Sequence, residues 1–427
     1  MIFQMLRDWA SLERSQWWSR EALHNIQERK LSKIVRHGYQ NVPFYRRLYD
    51  SVHVNPTDVI GYGGLGRLPF VTRQHLRDTS LQDMTAANAD LTKCSPDTTS
   101  GSTGTPVTLL EDPSFAAKQE MAHLRAYWAN GVRPGHKICT VWAMRASQSP
   151  LAGKLGLYSV IEGKFHRRVW GTDDIHDHMK FYSVWKPDVL IASPSYYRAL
   201  LWFSEQNRAK LSFKVAVSSG ELLDDTTRKR ICDAFQSEVI DTYGLMEVGI
   251  VSWECPQHRG YHVNAESVLV EFIKDGAPAA SGEAGKVYVT SLDRRITPII
   301  RYFTGDVATP TDDECPCGRG LSLMKNVQGR IVDFILGEED RYMSPWVVIR
   351  ALRSIQGVEN FKLTQKSDSS IDVQFRTRGL EAESVLNVLH QRCTELFGDM
   401  SLDIKLVDQI EGERGPKFRP VASDLTH

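Results

Sequence analysis

Residues 187–221, PDVLIASPSYYRALLWFSEQNRAKLSFKVAVSSGE, decide the fold, because a short apolar strand, a helix and a second apolar strand follow one another there. The alternation extends from about residue 115 to 250, with further strands in HKICTVWAM (136–144) and EVIDTYG (238–244). Apolar strands separated by helices are typical of parallel βαβ units. The sequence therefore predicts an α/β core that is built on a parallel sheet.

Two regions with a different pattern follow this core. From about residue 260 to 325, the strand-like runs YHVNAESVLVEFI, GKVYVTSL and IIRYFTGD predict a β-rich subdomain. After Gly329, a hairpin pattern, a helix and a strand predict a small α+β unit. We therefore expect a large multi-layer N-terminal domain, residues 1–329, and a small C-terminal domain, residues 330–427.

The charge balance and the cysteine content restrict the class of protein. Of the 427 residues, 52 are Lys or Arg and 52 are Asp or Glu, so the formal net charge is zero. This balance gives no support for a nucleic-acid or membrane partner. An N-terminus without an apolar signal core, together with seven cysteines in a long chain, predicts a cytoplasmic protein with reduced thiols. A homodimer is the default expectation for the oligomeric state.

The segment TTSGSTGTP, residues 98–106, is rich in hydroxyl side chains and glycine. Small side chains let the backbone close around a ligand, so that N–H groups and hydroxyls can bind a phosphate. The Gly-Lys-Ser/Thr ending of a Walker loop is absent. On these residues alone, a flexible surface linker is the alternative to a phosphate-binding loop. We call residues 98–106 the hydroxyl loop.

Further short motifs follow the hydroxyl loop in a defined order. They are SSGE (218–221), DTYGLME (241–247), RYFTGD (301–306), GRIVD (329–333) and GPKFRP (415–420). The first two come at the ends of predicted strands, where ligand-binding residues of an α/β sheet are usually found. Each motif alone could arise by chance. Five motifs in this order, with fitting predicted secondary structure, make a coincidence unlikely.

This order strongly resembles that of the adenylate-forming superfamily of ligases. The segments NVPFYRRLYD (41–50), LPFVTRQHLRD (68–78) and CPCGRGL (315–321) are similar to its phenylacetate–CoA ligase-like branch, which includes capsule-locus proteins. Thr72 within the second segment is also predicted to cap a short helix. The resemblance covers essentially the whole chain and implies an ATP-dependent ligase with an N-terminal adenylation domain.

The resemblance implies a set of nucleotide-binding positions. Attack of a carboxylate on the α-phosphate of ATP expels pyrophosphate, so cations and fixed donors must surround the phosphoryl oxygens. The β- and γ-phosphates would be held by Thr99, Ser100, Gly101, Ser102, Thr103 and Gly104. The other positions implied for ATP or AMP are Ser219, Gly220, Glu221, Asp241, Thr242, Tyr243, Gly244 and Asp306.

Three of the implied roles follow from the chemistry of the side chains. Tyr243 can stack its aromatic face on adenine. Asp306 would accept both ribose hydroxyls, because an ionised carboxylate is an acceptor only. Glu247 matches the carboxylate that coordinates magnesium, an ion that prefers oxygen ligands.

The resemblance also implies roles for the linker and the C-terminal domain. Lys417 would bridge the substrate carboxylate and the α-phosphate, although Pro416 here separates Gly415 from the lysine. Arg330 and Asp333 match the linker at which the small domain rotates between adenylation and thioester formation. Residues 330–427 are therefore expected to form a mobile domain that carries the catalytic lysine.

Two Cys- and His-containing pairs have the spacing of a structural zinc site. Cys255 and His258 form a Cys-x-x-His pair, and Cys315 and Cys317 form a Cys-x-Cys pair. Together they could provide the four ligands of a closed tetrahedral site. His262 is the competing nitrogen ligand, and ordinary loop residues without a metal are the alternative.

The leading hypothesis is activation of a carboxylic acid by ATP and Mg²⁺, followed by acyl transfer to coenzyme A. An amine, a carrier-protein thiol or another acceptor of the acyl or adenylyl group is the alternative, and a non-catalytic nucleotide-binding protein is a third possibility. Trp142, Met144 and Tyr196 follow core strands in regions that lie near the acid pocket in the family. The aromatic and apolar side chains of these residues favour an aromatic or apolar acid as the substrate.

Overall fold

The computed structural model describes residues 2–59, 61–98, 107–142, 165–170, 173, 175–330, 334–336, 342–343, 345–378, 381–410, 413 and 418–425. The predictions for residues 99–104, Met144, Asp333 and Lys417 concern positions outside these ranges, and the side chains of Trp142 and Arg330 also lie outside the described part. No helix in the described part of the chain combines the length and the apolar character that a membrane span needs.

The helices are concentrated at the N-terminus and between the strands of the core. They are α1 (Ile2–Ser15), α2 (Arg20–Asn41), α3 (Pro43–Ser51), α4 (Gly61–Leu65), α5 (Arg73–Asp78), α6 (Leu81–Met84), α7 (Pro113–Ala129), α8 (Ile175–Trp185), α9 (Pro194–Gln206), α10 (Asp225–Phe235), α11 (Pro345–Arg353) and α12 (Ala382–Phe397). The predicted cap at Thr72 is confirmed, because its side chain accepts a hydrogen bond from the His75 backbone at the start of α5.

The strands up to the middle of the chain are β1 (Ser95–Thr98), β2 (Thr108–Glu111), β3 (Ile138–Trp142), β4 (His166–Trp170), β5 (Val189–Ala192), β6 (Val215–Ser219), β7 (Glu238–Leu245), β8 (Gly249–Glu254), β9 (Tyr261–Val263) and β10 (Val268–Lys274). The remaining strands are β11 (Ala277–Pro278), β12 (Gly285–Ser291), β13 (Tyr302–Thr311), β14 (Leu323–Arg330), β15 (Ile335–Leu336), β16 (Tyr342–Met343), β17 (Val358–Gln365), β18 (Ile371–Thr377), β19 (Leu402–Leu406) and β20 (Val421–Ser423).

One mixed sheet forms the centre of the large body. Within the described residues it has the strand order β11-β10-β12-β13-β14-β9-β8-β7-β6-β5-β3-β4. Strands β4, β3, β5, β6 and β7 are parallel, and from β7 onward neighbours are antiparallel. The predicted α/β fold with a parallel core and a β-rich region is confirmed. The sequence did not show that the two regions share one continuous sheet.

Buried apolar side chains cover both halves of this sheet. Leu190, Leu200 and Phe213 belong to a cluster between the parallel strands and helices α8, α9 and α10. A second cluster joins the N-terminal helices to the antiparallel half, with Tyr45 and Ile300 fully or almost fully buried. The helices therefore pack on a sheet that is apolar on both faces.

The residues after Gly329 form a smaller unit with its own apolar core. Its sheet has the order β19-β18-β17-β20, in which β17 and β18 form the predicted antiparallel hairpin. Helices α11 and α12 cover this sheet, and Leu352, Phe361 and Leu389 are fully buried between them. The separate core agrees with a two-domain chain, while the boundary at residue 329 stays a prediction.

Candidate active site

A pocket lies where the carboxyl ends of β6 and β7 meet the antiparallel half of the sheet and the C-terminal unit. Its wall in the large body is formed by Gly220, Glu221, Leu222, residues 241–245, Asp306, Val327 and Gly329. Its opposite wall is formed by Pro345 and Ile349 of α11 and by residues 418–421. Seven of the positions implied for the nucleotide, in three motifs, therefore line one pocket: Gly220, Glu221, Asp241, Thr242, Tyr243, Gly244 and Asp306.

Tyr243 and Asp306 are joined directly in this pocket. The Tyr243 hydroxyl donates a 2.6 Å hydrogen bond to Asp306 Oδ2. Strands β7 and β13 are not neighbours in the sheet, so this contact fixes the two halves of the pocket relative to one another. Gly244 follows within β7, at an irregularity in the pairing with β8, where a Cβ atom would lie 2.9 Å from the Gly249 carbonyl oxygen.

Glu221 holds the start of helix α9 against the end of β6. Its carboxylate accepts hydrogen bonds from the Ser195 backbone N–H at 2.9 Å and from the Ser195 hydroxyl at 2.6 Å. Burial raises the pKa of Glu221, and the nearby Arg198 guanidinium opposes this effect. Glu221 therefore lines the pocket and also positions the helix that carries Tyr196.

Asp241 is a second carboxyl of the pocket with a raised pKa. It is buried, and its Oδ2 accepts a 2.7 Å hydrogen bond from the Tyr261 hydroxyl. Burial raises the pKa of Asp241, and the neighbouring Glu254 raises it further. Glu254 is itself paired with Arg228 at 2.8 Å and accepts a hydrogen bond from the Asp241 backbone N–H. This network fixes strand β7 from behind the pocket.

Glu247 does not line this pocket and lies two residues beyond the end of β7. One of its carboxylate oxygens, Oε1, accepts a 3.1 Å hydrogen bond from the Tyr302 hydroxyl and lies 3.5 Å from Arg73 Nη1. Its side chain is only 5% exposed. Arg73 is a partner that the sequence did not single out, although it lies within the segment 68–78 that carries the resemblance.

Arg330 and Ser219 are placed by backbone pairing. In the antiparallel ladder of β13 and β14, Arg330 stands opposite Asp306. Ser219 ends β6 opposite Thr242 of β7. Strand β14 of the central sheet therefore ends next to the predicted ribose-binding carboxylate, one residue after Gly329, whose φ of +94° favours glycine.

Tyr196 lies in a buried hydrogen-bonded group. Its hydroxyl is 2.8 Å from the Tyr182 hydroxyl and 2.8 Å from His178 Nδ1. Burial raises the pKa of Tyr196 beyond its ordinary value. Tyr196 packs against the core of helices α8 and α9, and it does not line the pocket described above. Its assignment to the acid-binding region stays a prediction.

A second cluster contains the metal-ligand candidates. Cys255, His262, Cys315 and Cys317 place their ligand atoms within 4.8 Å of one another. The Cys255 and Cys315 sulfurs are 3.6 Å apart, and Cys317 Sγ lies 3.3 Å from His262 Nε2. A disulfide bond would need about 2.05 Å between sulfurs, so the three thiols are free.

Of the two histidines considered as the nitrogen ligand, the structure brings His262, and not His258, to the three cysteines, and zinc binding there stays a prediction. His262 is fully buried, and its strand β9 pairs with β14 so that His262 stands opposite Leu323, just beyond the Cys315 and Cys317 loop. His258 instead lies 2.8 Å from Glu238 and 3.7 Å from Glu254. Strand register decides which histidine meets the cysteines, and this register cannot be inferred from the number of residues between the candidate ligands.

Several pocket residues carry no signal in the sequence. Pro345 and Ile349 lie in an amphipathic helix, and Val327 is an ordinary strand residue. Phe418 and Arg419 could have been found, because they directly follow Lys417 in a motif already singled out. The part of this wall that α11 forms therefore becomes visible only in the folded chain.

Known proteins resemble the chain in sequence and in fold. No protein-family model matches it. Phenylacetate-coenzyme A ligase of Thermus thermophilus is 28% identical over 339 residues, which cover 74% of this chain and 72% of that protein. Fumarate--(S)-2,3-diaminopropanoate ligase of Enterobacter agglomerans is 25% identical over 178 residues, 39% of this chain and 43% of that protein.

A solved structure shares the whole architecture. A complex of 2-hydroxyisobutyryl-CoA ligase in the postadenylation state superposes with a TM-score of 0.80 at 19% identity, covering 95% of this chain and 91% of that chain. The likeness thus includes the large body and the C-terminal unit. This likeness shows the fold. The sequence relatives, which are named ligases, support the resemblance to the adenylate-forming superfamily that the ordered motifs indicate.

Proposed function

We propose that the chain activates a carboxylic acid with ATP to form an acyl adenylate and then transfers the acyl group to coenzyme A. One observation carries this proposal. Residues 418–421, which directly follow Lys417, form a wall of the pocket that also contains Tyr243 and Asp306. The name of the T. thermophilus relative supports coenzyme A as the acceptor.

In the first half-reaction, a carboxylate oxygen of the acid bonds to the α-phosphorus of ATP, and the bond from that phosphorus to the bridging oxygen breaks to release pyrophosphate. Negative charge develops on the phosphoryl oxygens, so a fixed cation stabilises the transition state. We assign this role to Lys417. We assign the β- and γ-phosphates to the hydroxyl loop.

The nucleoside would be recognised by the joined pair of Tyr243 and Asp306. We assign the Asp306 carboxylate to the ribose hydroxyls and the Tyr243 ring to a face of adenine. The 2.6 Å hydrogen bond between them supports this assignment, because it holds both groups in place before ATP binds. Asp241, Thr242 and Gly220 complete the same wall.

Glu247 is suited to hold magnesium beside the phosphates. In the described part of the chain, both polar contacts of its carboxylate involve Oε1, so Oε2 can coordinate a cation. Magnesium would neutralise charge on the triphosphate. Arg73 and the Tyr302 hydroxyl orient the carboxylate for this task.

In the second half-reaction, the coenzyme A sulfur attacks the carbonyl carbon of the adenylate, the bond to the AMP oxygen breaks, and the thiol proton is released. We propose that the C-terminal unit rotates between the two steps, with Arg330 and Asp333 at the linker. The left-handed backbone conformation of Gly329 supports a turning point there.

The decisive experiment is ATP–pyrophosphate exchange with phenylacetate, benzoate, indole-3-acetate and fumarate. Exchange that depends on one of these acids supports acid activation, and a lack of exchange with a broad acid panel contradicts it. Mass measurement of the product formed with coenzyme A or with an amine then identifies the acceptor. An amide product would favour the alternative suggested by the similarity to the E. agglomerans amide-forming ligase.

We also propose that Cys255, His262, Cys315 and Cys317 bind a structural zinc ion. Tetrahedral zinc with bonds of about 2.3 Å to sulfur places two thiolates about 3.8 Å apart, close to the 3.6 Å between Cys255 and Cys315. Three sulfurs and one imidazole are a donor set that zinc prefers. The site would join β8, β9 and the loop after β13 behind the pocket.

A further inference from the structure

A chain of side-chain contacts at the interface between the two units ends at a residue that is near Lys417 in the sequence. Glu413, four residues before that lysine, accepts a 2.8 Å hydrogen bond from Asn360 Nδ2 on its Oε1. Its Oε2 accepts a 3.0 Å hydrogen bond from Arg376 Nη1. Both carboxylate oxygens are therefore engaged by strands β17 and β18, the central hairpin of the C-terminal unit.

The other end of this chain lies in the large body. Asn360 Oδ1 accepts a 3.2 Å hydrogen bond from Arg353 Nη2, and Arg353 Nε lies 3.2 Å from Asp224 Oδ2. The side chains of Arg353 and Asp224 are 5% and 3% exposed. Asp224 follows the SSGE motif and caps helix α10 through the Thr227 backbone N–H at 2.8 Å. Its position is therefore fixed independently of the C-terminal unit.

Residues 418–421, which follow Lys417 in the sequence, are held on the same sheet. The Leu363 backbone N–H donates a 2.8 Å hydrogen bond to the Pro420 carbonyl oxygen, and Val421 pairs with Leu363 in a parallel ladder. Phe418 is buried and lines the nucleotide pocket. Residues 413 and 418–421 are thus two anchors on one sheet, with Lys417 between them in sequence.

Glu413 is not needed to neutralise the charge of Arg376. Arg376 already has a carboxylate partner in Glu359, at 2.9 Å, with a side chain only 13% exposed. Exposed surface ion pairs contribute little, whereas partly buried networks depend on each member. Glu413 is the member that links this network to the segment that carries Lys417.

We propose that Glu413 is a positioning residue for Lys417, and that Asp224, Arg353, Asn360 and Glu413 form a connection that places this segment when the C-terminal unit is docked on the large body. The inference rests on the proposed function, since it takes Lys417 to act in the adenylation step. It adds residues that touch neither ATP nor the acid. Breaking the connection would misplace the lysine without removing any group from the nucleotide pocket.

The test compares Glu413→Gln with a matched control, Glu359→Gln, in the full-length protein. Both changes neutralise a carboxylate that contacts Arg376, and only the first also alters the link to the Lys417 segment. We expect Glu413→Gln to lower the kcat of ATP–pyrophosphate exchange about tenfold to 100-fold, with the KM for ATP changed less than about twofold. Glu359→Gln should retain exchange close to that of the wild type.

A second measurement separates positioning from a general loss of structure. Thioester formation from coenzyme A and a preformed adenylate of the acid that gives the highest exchange does not require the adenylation step. We expect Glu413→Gln to retain it within about twofold. Asn360→Ala should behave like Glu413→Gln, and their combined effect on exchange should be less than additive, because both act on one connection.

The possible outcomes have different meanings. Wild-type exchange retained in Glu413→Gln would overturn the inference alone. Equal losses in both half-reactions, with a lowered thermal unfolding midpoint, would also overturn it, since a purely structural role predicts that result. Absence of exchange in the wild-type protein with every acid would instead contradict the proposed function.

Discussion

The Tyr243 hydroxyl donates a 2.6 Å hydrogen bond to Asp306 across the pocket, and it joins two strands that are not neighbours in the sheet. Tyr243 lies where the parallel half of the sheet ends, and Asp306 lies in the antiparallel half. The bond therefore fixes the distance between the proposed adenine and ribose contacts. A ligand that spans both residues would meet groups that are already oriented.

Replacing Tyr243 by Phe tests this pairing, because it removes the hydrogen bond and keeps the aromatic ring. We expect the KM for ATP in pyrophosphate exchange to rise several-fold, and we expect a rise of about tenfold or more for Asp306→Asn, which also weakens acceptance from ribose hydroxyls. The KM for the acid is the internal control. An unchanged KM for ATP in Asp306→Asn would contradict the ribose assignment.

Replacing Lys417 by Ala should abolish most exchange while nucleotide binding stays measurable. Loss of a cation that acts on charge developing in the transition state lowers kcat by about 100-fold to 1,000-fold. Thioester formation from a preformed adenylate should be retained. The half-reactions can be followed separately by exchange of labelled pyrophosphate and by mass measurement of the thioester. Full exchange in Lys417→Ala would rule out its proposed role.

Changing Cys315 to Ser should remove metal from the cluster of Cys255, His262, Cys315 and Cys317. We expect the wild-type protein to contain about one zinc per chain by elemental analysis, and we expect the variant to have much less and to unfold several degrees lower. His258→Ala is the matched comparison and should retain the metal. Retention of zinc in Cys315→Ser together with its loss in His258→Ala would restore the ligand set that the sequence favoured.

Glu111 should make the stability of the protein depend on pH. Burial raises the pKa of Glu111 to about 7, opposed by Arg294 and assisted by the charges of Asp97, Asp112 and Glu120. Because the folded-state pKa lies above the ordinary value of 4.5, the folded chain binds this proton more tightly. The associated stability is present below about pH 4.5 and is lost as the pH rises through about 7.

Glu111→Gln should therefore flatten the dependence of unfolding free energy on pH between about 4.5 and 7. After allowance for partial exposure of the side chain, the gain in stability at pH 8 relative to wild type should be about 1–2 kcal/mol. Chemical denaturation at several pH values measures this change. The exposed Glu395→Gln is the control, and an equal effect in both variants would contradict the role of burial.

Much of the architecture could be predicted because its signals are local. The apolar strand in residues 189–192 and the helix that follows it have different periods, which identify a βαβ core without any distant contact. The motifs around Glu221 and Tyr243 come at strand ends, so their convergence follows from parallel strand order. The ordered motifs likewise led to the correct superfamily and the correct reaction class.

The sequence by itself therefore predicted the types of element, the resemblance to the superfamily and the candidate residues for nucleotide binding, since these depend on periodicity and on residue chemistry. Only the tertiary structure decided that His262 rather than His258 joins the cysteines, because strand register sets which side chains meet. It also decided that one sheet joins both halves of the pocket. The link from Asp224 to Glu413 also depends on the tertiary structure, because it forms through packing between the two units. Its contact between Asp224 and Arg353 joins residues 129 positions apart in the sequence (353 minus 224).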